Sequence, residues 1–195
     1  GFMSILAPSN VASVKAGATG VYPLYQLDLW WTPITAIYLH GGLLHIFFNM
    51  MWVRQLGPVV ADLFGPFRLF TIFTVAGIVG FLFSIAAGHP LTLGASGSIF
   101  GLLAAAIAYG RRTGAQLFTR QFLQWAVLLF IMGFVFPGVD NWAHGGGFVG
   151  GYAIAFLFSR SSEREGIGAY LTGGLCLLAT GGAFALQFMS MVGLR

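Results

Sequence analysis

Gly94-Ala95-Ser96-Gly97-Ser98-Ile99-Phe100-Gly101 opens an apolar run that continues through Tyr109 and stops at Arg111-Arg112. As a helix, with its fixed rise, this run puts Ser96 about 22 Å from Arg111. A bilayer's hydrocarbon core is about 30 Å thick, so with the arginines at one face the serine lies several ångströms below the other. A polar side chain at that depth needs a reason to be there. Trp142-Ala143-His144-Gly145-Gly146-Gly147 begins a second run, which ends at Arg160. His144 is then about 24 Å from its own basic terminus. Serine and histidine come out at one depth, each near the non-basic end of its helix. Two helices crossing the membrane in the same direction can bring them together.

The bulk numbers agree with a membrane setting. Of 195 residues, 57% are hydrophobic and only 7% charged, and mean hydropathy is +0.86. Soluble domains carry about 25% charged residues, so this chain cannot cover a water-facing surface. It reads as one polytopic, all-α membrane helix bundle, a single domain over 1–195. The net charge of +4 comes from dispersed basic residues, which excludes a nucleic-acid surface. The one cysteine, Cys176, excludes an internal disulfide and reads as packing.

Along the chain, Gly1–Leu6 reads as the tail of something longer. Residues 7–38 are too broken by proline, glycine, Lys15 and Asp28 to span, and end rich in Tyr and Trp. Such aromatics favour the membrane–water boundary, so 7–38 is expected to be an interfacial loop. Residues 39–160 hold the polar helices. The first opens at His40 and runs to about Gly57-Pro58 or a little beyond; Asp62–Arg68 is a polar turn. Phe67–Ala87 is the next span, closed by Gly88-His89-Pro90, where His89 reads as a surface loop residue. After the serine helix comes a basic loop, Arg111–Arg120. Gln121–Phe136, the histidine helix from about Asn141 to Phe158, a charged loop Ser159–Glu165 and a final span within 166–194 complete six helices. With Ser96 and His144 on one side, Arg54, Arg68, Arg111, Arg112, Arg120, Arg160 and Arg164 all fall on the other; only Lys15 and Arg195 share the site's side. Basic residues mark the cytoplasmic face, so the site is expected to face away from the cytoplasm, as in a multi-pass protein of a bacterial plasma membrane.

Glycines recur at i, i+4 on both key helices: Gly97 and Gly101, Gly147 and Gly151. Small residues at that spacing let membrane helices approach closely. A serine hydroxyl needs a base to become a nucleophile, and His144 is the histidine at matching depth. Ser96 at a helix start has unsatisfied backbone N–H groups beside it, suited to a developing oxyanion. His45 and Asn49, four apart and on one face, are candidates for side-chain donors in the same pocket, with His40 nearby. Phe100, one turn beyond Ser96, is placed to pack under the imidazole. Asp28 and Asp140 read as structural rather than as a third catalytic member. No His-Glu-x-x-His motif for zinc and no pair of mid-membrane aspartates is present. Water for hydrolysis would have to reach Ser96 through a protein-lined cavity, covered by a mobile cap made of the Gly88–Leu93 loop and the Pro137–Asp140 loop with the flanking end of its helix.

His40-x4-His45-x3-Asn49, Gly94-Ala95-Ser96-Gly97 and Ala143-His144-x2-Gly147-x3-Gly151, in this order and at helix starts, resemble the rhomboid family of intramembrane serine proteases. The resemblance covers roughly Trp30 to Arg160. It implies Ser96 as nucleophile, His144 as base, and His45, Asn49 and the Ser96 N–H as the oxyanion hole, with Asn141 in support. It also implies transmembrane protein substrates in the lipid bilayer, cut near the outer face without a cofactor. The family often has Trp-Arg in the interfacial loop, whereas Trp31 is followed by Thr32, which puts the loop's anchoring in question. Many bacterial members have Tyr where Phe100 stands. A helix that normally precedes the loop is missing from this sequence, and the span in 166–194 resembles the additional C-terminal helix of some members. Two other readings compete: a catalytically silent rhomboid-like binder of membrane proteins, and a transporter with a polar path. The second lacks the paired broken helices of such folds.

Overall fold

In the computed structural model, which describes residues 6–158 and 166–193, every apolar run folds as one long helix. Two short pieces, α1 (Asn10–Ala16) and α2 (Thr32–Thr35), precede α3 (Leu43–Phe64), α4 (Pro66–Ala86), α5 (Ser96–Thr113), α6 (Gln116–Val135), α7 (Asn141–Phe158) and α8 (Ile167–Met191). Among the described residues there is no strand beyond one isolated bridge, Thr19 with Thr92, so the chain is the all-α bundle expected. Arg160, Arg164 and the Ser159–Glu165 loop, together with residues 1–5, Leu194 and Arg195, lie outside the described residues.

α5 is the centre. It is buried almost without interruption from Gly97 to Gly110, and α3, α4, α6 and α7 all pack on it. Its last turn carries Arg111 and Arg112 and ends on Gly114 in the left-handed conformation, where cations complement the helix dipole. α7 lies against both α4 and α5, and α8 lies outside α4. Tight connections make successive helices antiparallel. α3, α5 and α7 therefore begin at one face, and Arg68, Arg111, Arg112 and Arg120 collect at the other. Arg68, at the start of α4, lies over the ring of Phe158 at the end of α7, 5.1 Å from its centroid, a cation–π contact that pins those two helix ends.

Among the described residues, three helices are long and apolar enough to cross a bilayer unaided: α4, α6 and α8, with mean hydropathies of 2.3, 1.4 and 1.5. The segment Thr32–Tyr38 and α3, bent by 89° to one another, are long and apolar enough only when taken together. Six long helices are present among the described residues, as the sequence predicts, but α5 and α7 are not apolar enough to cross alone. Their glycines and polar starts lower their apolarity, and they are sheltered by neighbours.

Several boundaries differ from the sequence expectation. α3 continues through Pro58 to Phe64, because Val60 and Phe64 are buried in the core and outweigh the one hydrogen bond a proline removes. The expected turn at Asp62–Arg68 contracts to Gly65, whose φ of 90° breaks the helix where Pro66 starts the next. The basic loop Arg111–Arg120 is nearly all helix, interrupted only at Gly114-Ala115. Residues 7–38 are not open loop. They hold α1, a π-type turn at Tyr22–Gln26, α2 and a 3-10 turn at Ala36–Tyr38. Tyr25 and Trp30 are exposed while Trp31 is buried, as in a segment lying along an interface with one face inward.

Candidate active site

Ser96 is the first residue of α5, half-buried, and its N-cap Ala95 offers no side-chain acceptor. The first-turn N–H groups are thus available. α5 meets α7 at backbone distance. A Cβ on Gly97 would stand 3.2 Å from the Ala143 carbonyl oxygen, one on Gly147 would collide with the Gly97 backbone, and one on Gly151 with that of Gly101. These four glycines put Ser96, next to Gly97, level with His144, next to Ala143.

His144 is buried, and two groups fix it. Its ring stacks on Phe100, centroids 4.4 Å apart and planes 19° off parallel. Its Nδ1 lies 3.0 Å from Oδ1 of Asn141. A carbonyl oxygen only accepts, so Nδ1–H donates and the neutral ring keeps its lone pair on Nε2. Asn141 is in turn seated against α6, where a Cβ on Gly133 would collide with its amide.

His45 is held in the complementary tautomer. Its Nδ1 accepts the Gly41 N–H at 3.0 Å, so Nε2 carries the proton. That nitrogen faces Gly94, whose φ is +129° and on which a Cβ would come within 2.8 Å of the ring. His40 packs edge-on to His45, centroids 5.2 Å apart, and its Nε2 is buried without a partner. Asn49 is buried and its Nδ2 donates to the His45 carbonyl at 2.7 Å, which leaves one amide N–H to spare. A cleft of about 290 Å³ reaches His144 from the side. It is lined by Phe100, Phe148 and the α6 residues Leu123, Val127, Phe130 and Ile131, so it is apolar and lies between α6 and α7.

The match to known proteins follows these elements. The Rhomboid domain family matches residues 28–161, from the interfacial segment to just past α7. The chain belongs to the rhomboid family. It is 31% identical over 160 residues to RHOMBOID-like protein 1 of Arabidopsis thaliana, covering 79% of this chain and 41% of that protein. With RHOMBOID-like protein 7 of the same plant it shares 31% over 167 residues, 83% of this chain and 53% of the relative. With the rhomboid protease GluP of Bacillus subtilis (strain 168) it shares 33% over 130 residues, 65% of this chain and 25% of GluP. This rhomboid thus spans between a quarter and about half the length of these relatives. It is a multi-pass membrane protein of an intramembrane-protease family.

Other residues of this rhomboid's site become visible only in three dimensions. Asp140 caps α7: its Oδ1 accepts the Ala143 N–H at 3.0 Å, and its Oδ2 accepts the Thr92 hydroxyl at 2.9 Å and the Ser84 hydroxyl. His89, a surface loop residue by sequence, has its Nδ1 3.8 Å from the same oxygen. Asp140 therefore ties the end of α4 and the 88–93 loop to the turn that carries His144. A D-x-x-A spacing ahead of an apolar helix is a capping signal, but its hydroxyl partners sit on other elements. The two loops of the cover expected to be mobile are held down accordingly. Thr19 and Thr92 exchange both backbone hydrogen bonds, and Val21 N–H and Tyr22 N–H donate to the carbonyls of His89 and Pro90. The site-side half of α6 is also lightly held: of residues 126–135 only Ala126 and Gly133 are buried.

Proposed function

We propose that this rhomboid is an intramembrane serine endopeptidase that cuts transmembrane proteins near the extracytoplasmic face through a Ser96–His144 dyad. The observation that carries the reading is the double restraint on His144, Phe100 under its face and Asn141 at Nδ1, which leaves Nε2 as a base at the level of Ser96. In the reaction, Nε2 takes the Ser96 proton as Oγ attacks the scissile carbonyl. The oxyanion forms beside the Ser96 backbone N–H, His45 Nε2–H and the spare Asn49 N–H. The peptide C–N bond then breaks, His144 returns the proton to the leaving amine, and the acyl-enzyme remains on Ser96. Water, deprotonated by the same nitrogen, releases it. Asn141 and Phe100 orient the ring in place of a carboxylate, and no step calls for a cofactor.

The apolar cleft beside α6 suits a substrate helix arriving from lipid rather than from water. We place the protein in a bacterial plasma membrane with Ser96 outward, on the charge asymmetry of its helix ends and its likeness to a relative from B. subtilis. A fluorophosphonate probe tests the chemistry without a known substrate. Wild-type protein is expected to label stoichiometrically, and Ser96→Ala and His144→Ala not at all. Folded wild-type protein that takes up no probe would instead favour a silent binder of membrane proteins.

A further inference from the structure

Gln187 is the one strongly polar side chain buried in α8, only 4% exposed, in a helix otherwise apolar enough to span the membrane. A primary amide there is costly unless all its hydrogen-bonding capacity is used, and it is used on a single target. Oε1 accepts the indole N–H of Trp31 at 2.8 Å. Nε2 donates to the carbonyls of Lys15 at 2.8 Å and Val14 at 3.3 Å in the last turn of α1, where carbonyls run out of intrahelical donors; that of Val14 also accepts the Gly17 N–H at 3.0 Å. Gly17, next in line with φ +107°, lets α1 end close enough: a Cβ there would strike Thr35 and press on the Gln187 amide. All three bonds bridge more than 150 residues of sequence to the interfacial segment.

From that grip, contacts run without a gap to the site. The Thr35 hydroxyl donates to Gly17 carbonyl at 2.6 Å and the Thr32 hydroxyl meets that of Thr19 at 3.1 Å. Thr19 pairs with Thr92, and Gly94 N–H donates to the Ala36 carbonyl at 2.9 Å. Thr92 holds Asp140, the cap of α7. Both loops that lead into Ser96 and His144 are thus fastened to a segment that is held on α8 by these bonds and on α4 and α5 by the packing of Ala36 and Ile37.

We infer that Gln187 is a positioning residue: α8, through its amide, clamps the interfacial segment and so holds the geometry of the Ser96–His144 site. The clamp takes up the anchoring left open where Thr32 follows Trp31. This inference rests on the serine-protease reading for its catalytic half. The test uses the full chain and Gln187→Met, which keeps side-chain length and loses all three bonds, with Trp31→Phe as a second variant that leaves α8 intact.

Two measurements separate the possibilities. Amide hydrogen exchange is expected to rise in both variants at residues 14–22 and 91–95 and to stay unchanged in the buried part of α5. Fluorophosphonate labelling of Ser96 is expected to lose maximal rate (kinact) by about tenfold, with the probe's KI unchanged, since misplacing a site by about an ångström costs up to about a hundredfold. The double variant should be no slower than the slower single one, because both cut the same link. Faster exchange confined to 14–22, or a full labelling rate in folded Gln187→Met, would overturn the inference while leaving the protease reading intact. Wild-type protein that does not label would overturn the protease reading, and with it the clamp's catalytic role.

Discussion

Asn141 supplies orientation to His144 without supplying charge. A carboxylate at that place would stabilise the imidazolium as it forms; an amide oxygen fixes the tautomer and little more. In the proposed mechanism the dyad then depends on its oxyanion donors and on the stacked ring. Ser96→Ala and His144→Ala are each expected to abolish cleavage of a membrane substrate, and the double variant to be no worse, because the two act as a unit. Cleavage by Ser96→Ala above background would remove the nucleophile assignment. Losing one oxyanion donor typically slows turnover by about 10²- to 10³-fold, so Asn49→Ala should lower kcat with KM held; a rise in KM alone would make Asn49 a packing residue. Asn141→Ala removes one neutral hydrogen bond worth about 1 kcal/mol, and a rate loss of roughly five- to tenfold is expected. A loss as deep as that of His144→Ala would mean that Asn141 does more than orient the ring.

The α5–α7 contact is where sequence and structure correspond most closely. Gly97, Gly101, Gly147 and Gly151 are spaced for it, and each faces the partner backbone. Gly147→Val should therefore push the helices apart, at about 1–3 kcal/mol for overpacking, and lower the thermal unfolding midpoint together with probe labelling. Gly145→Ala, where an added Cβ meets nothing within 4 Å, should lower neither, since alanine is the better helix former; equal damage from both would deny that close approach is the glycines' role. Helix periodicity and helix-start chemistry made the long elements and the polar starts of α3, α5 and α7 legible. Asp140 was legible only as a residue ahead of a helix, since the hydroxyls of Ser84 and Thr92 that it gathers belong to other elements. Gln187 was not legible at all: one glutamine in an apolar run gives no hint of a Trp 156 positions earlier. The helical pieces in residues 7–38 escaped for a related reason. They are one to two turns long and are stabilised by tertiary contacts, because so short a helix is not stable alone. Asp140→Ala removes an N-cap, at about 0.5–2 kcal/mol, and also strands two buried hydroxyls. Its unfolding midpoint should fall further than that of Ser9→Ala, which caps only the exposed start of α1; an equal fall would make Asp140 an ordinary cap.

At the scale of the whole molecule the protease reading raises the question of how water and a helical substrate would both reach Ser96. The starts of α3, α5 and α7 bring His40, His45, Asn49, Ser96, Asn141 and His144 to one face, opposite Arg68, Arg111, Arg112 and Arg120. By helix rise Ser96 sits about 8 Å inside a core about 30 Å thick, a depth at which lipid supplies no water and protein must line the route. The cleft beside His144 is apolar and opens sideways, so it serves substrate better than water. Water must come from the outer face, past the 88–93 and 137–140 loops. Both are bonded in place through Thr19, Thr92 and Asp140, so on this reading access is expected to depend on the outer half of α6, where only Ala126 and Gly133 are buried, giving way. Ser96→Cys in a Cys176→Ala background places a single thiol at that depth. In sealed vesicles of known orientation it should react with a small membrane-impermeant thiol reagent added at the extracytoplasmic face and be protected from the cytoplasmic face. A disulfide engineered between the outer ends of α6 and α7 should slow that reaction, and reduction should restore it. Reaction from the cytoplasmic side would invert the topology drawn from the arginines. A rate indifferent to the α6 crosslink would mean that water arrives over the loops, and that the bonds holding them open more readily than their number suggests.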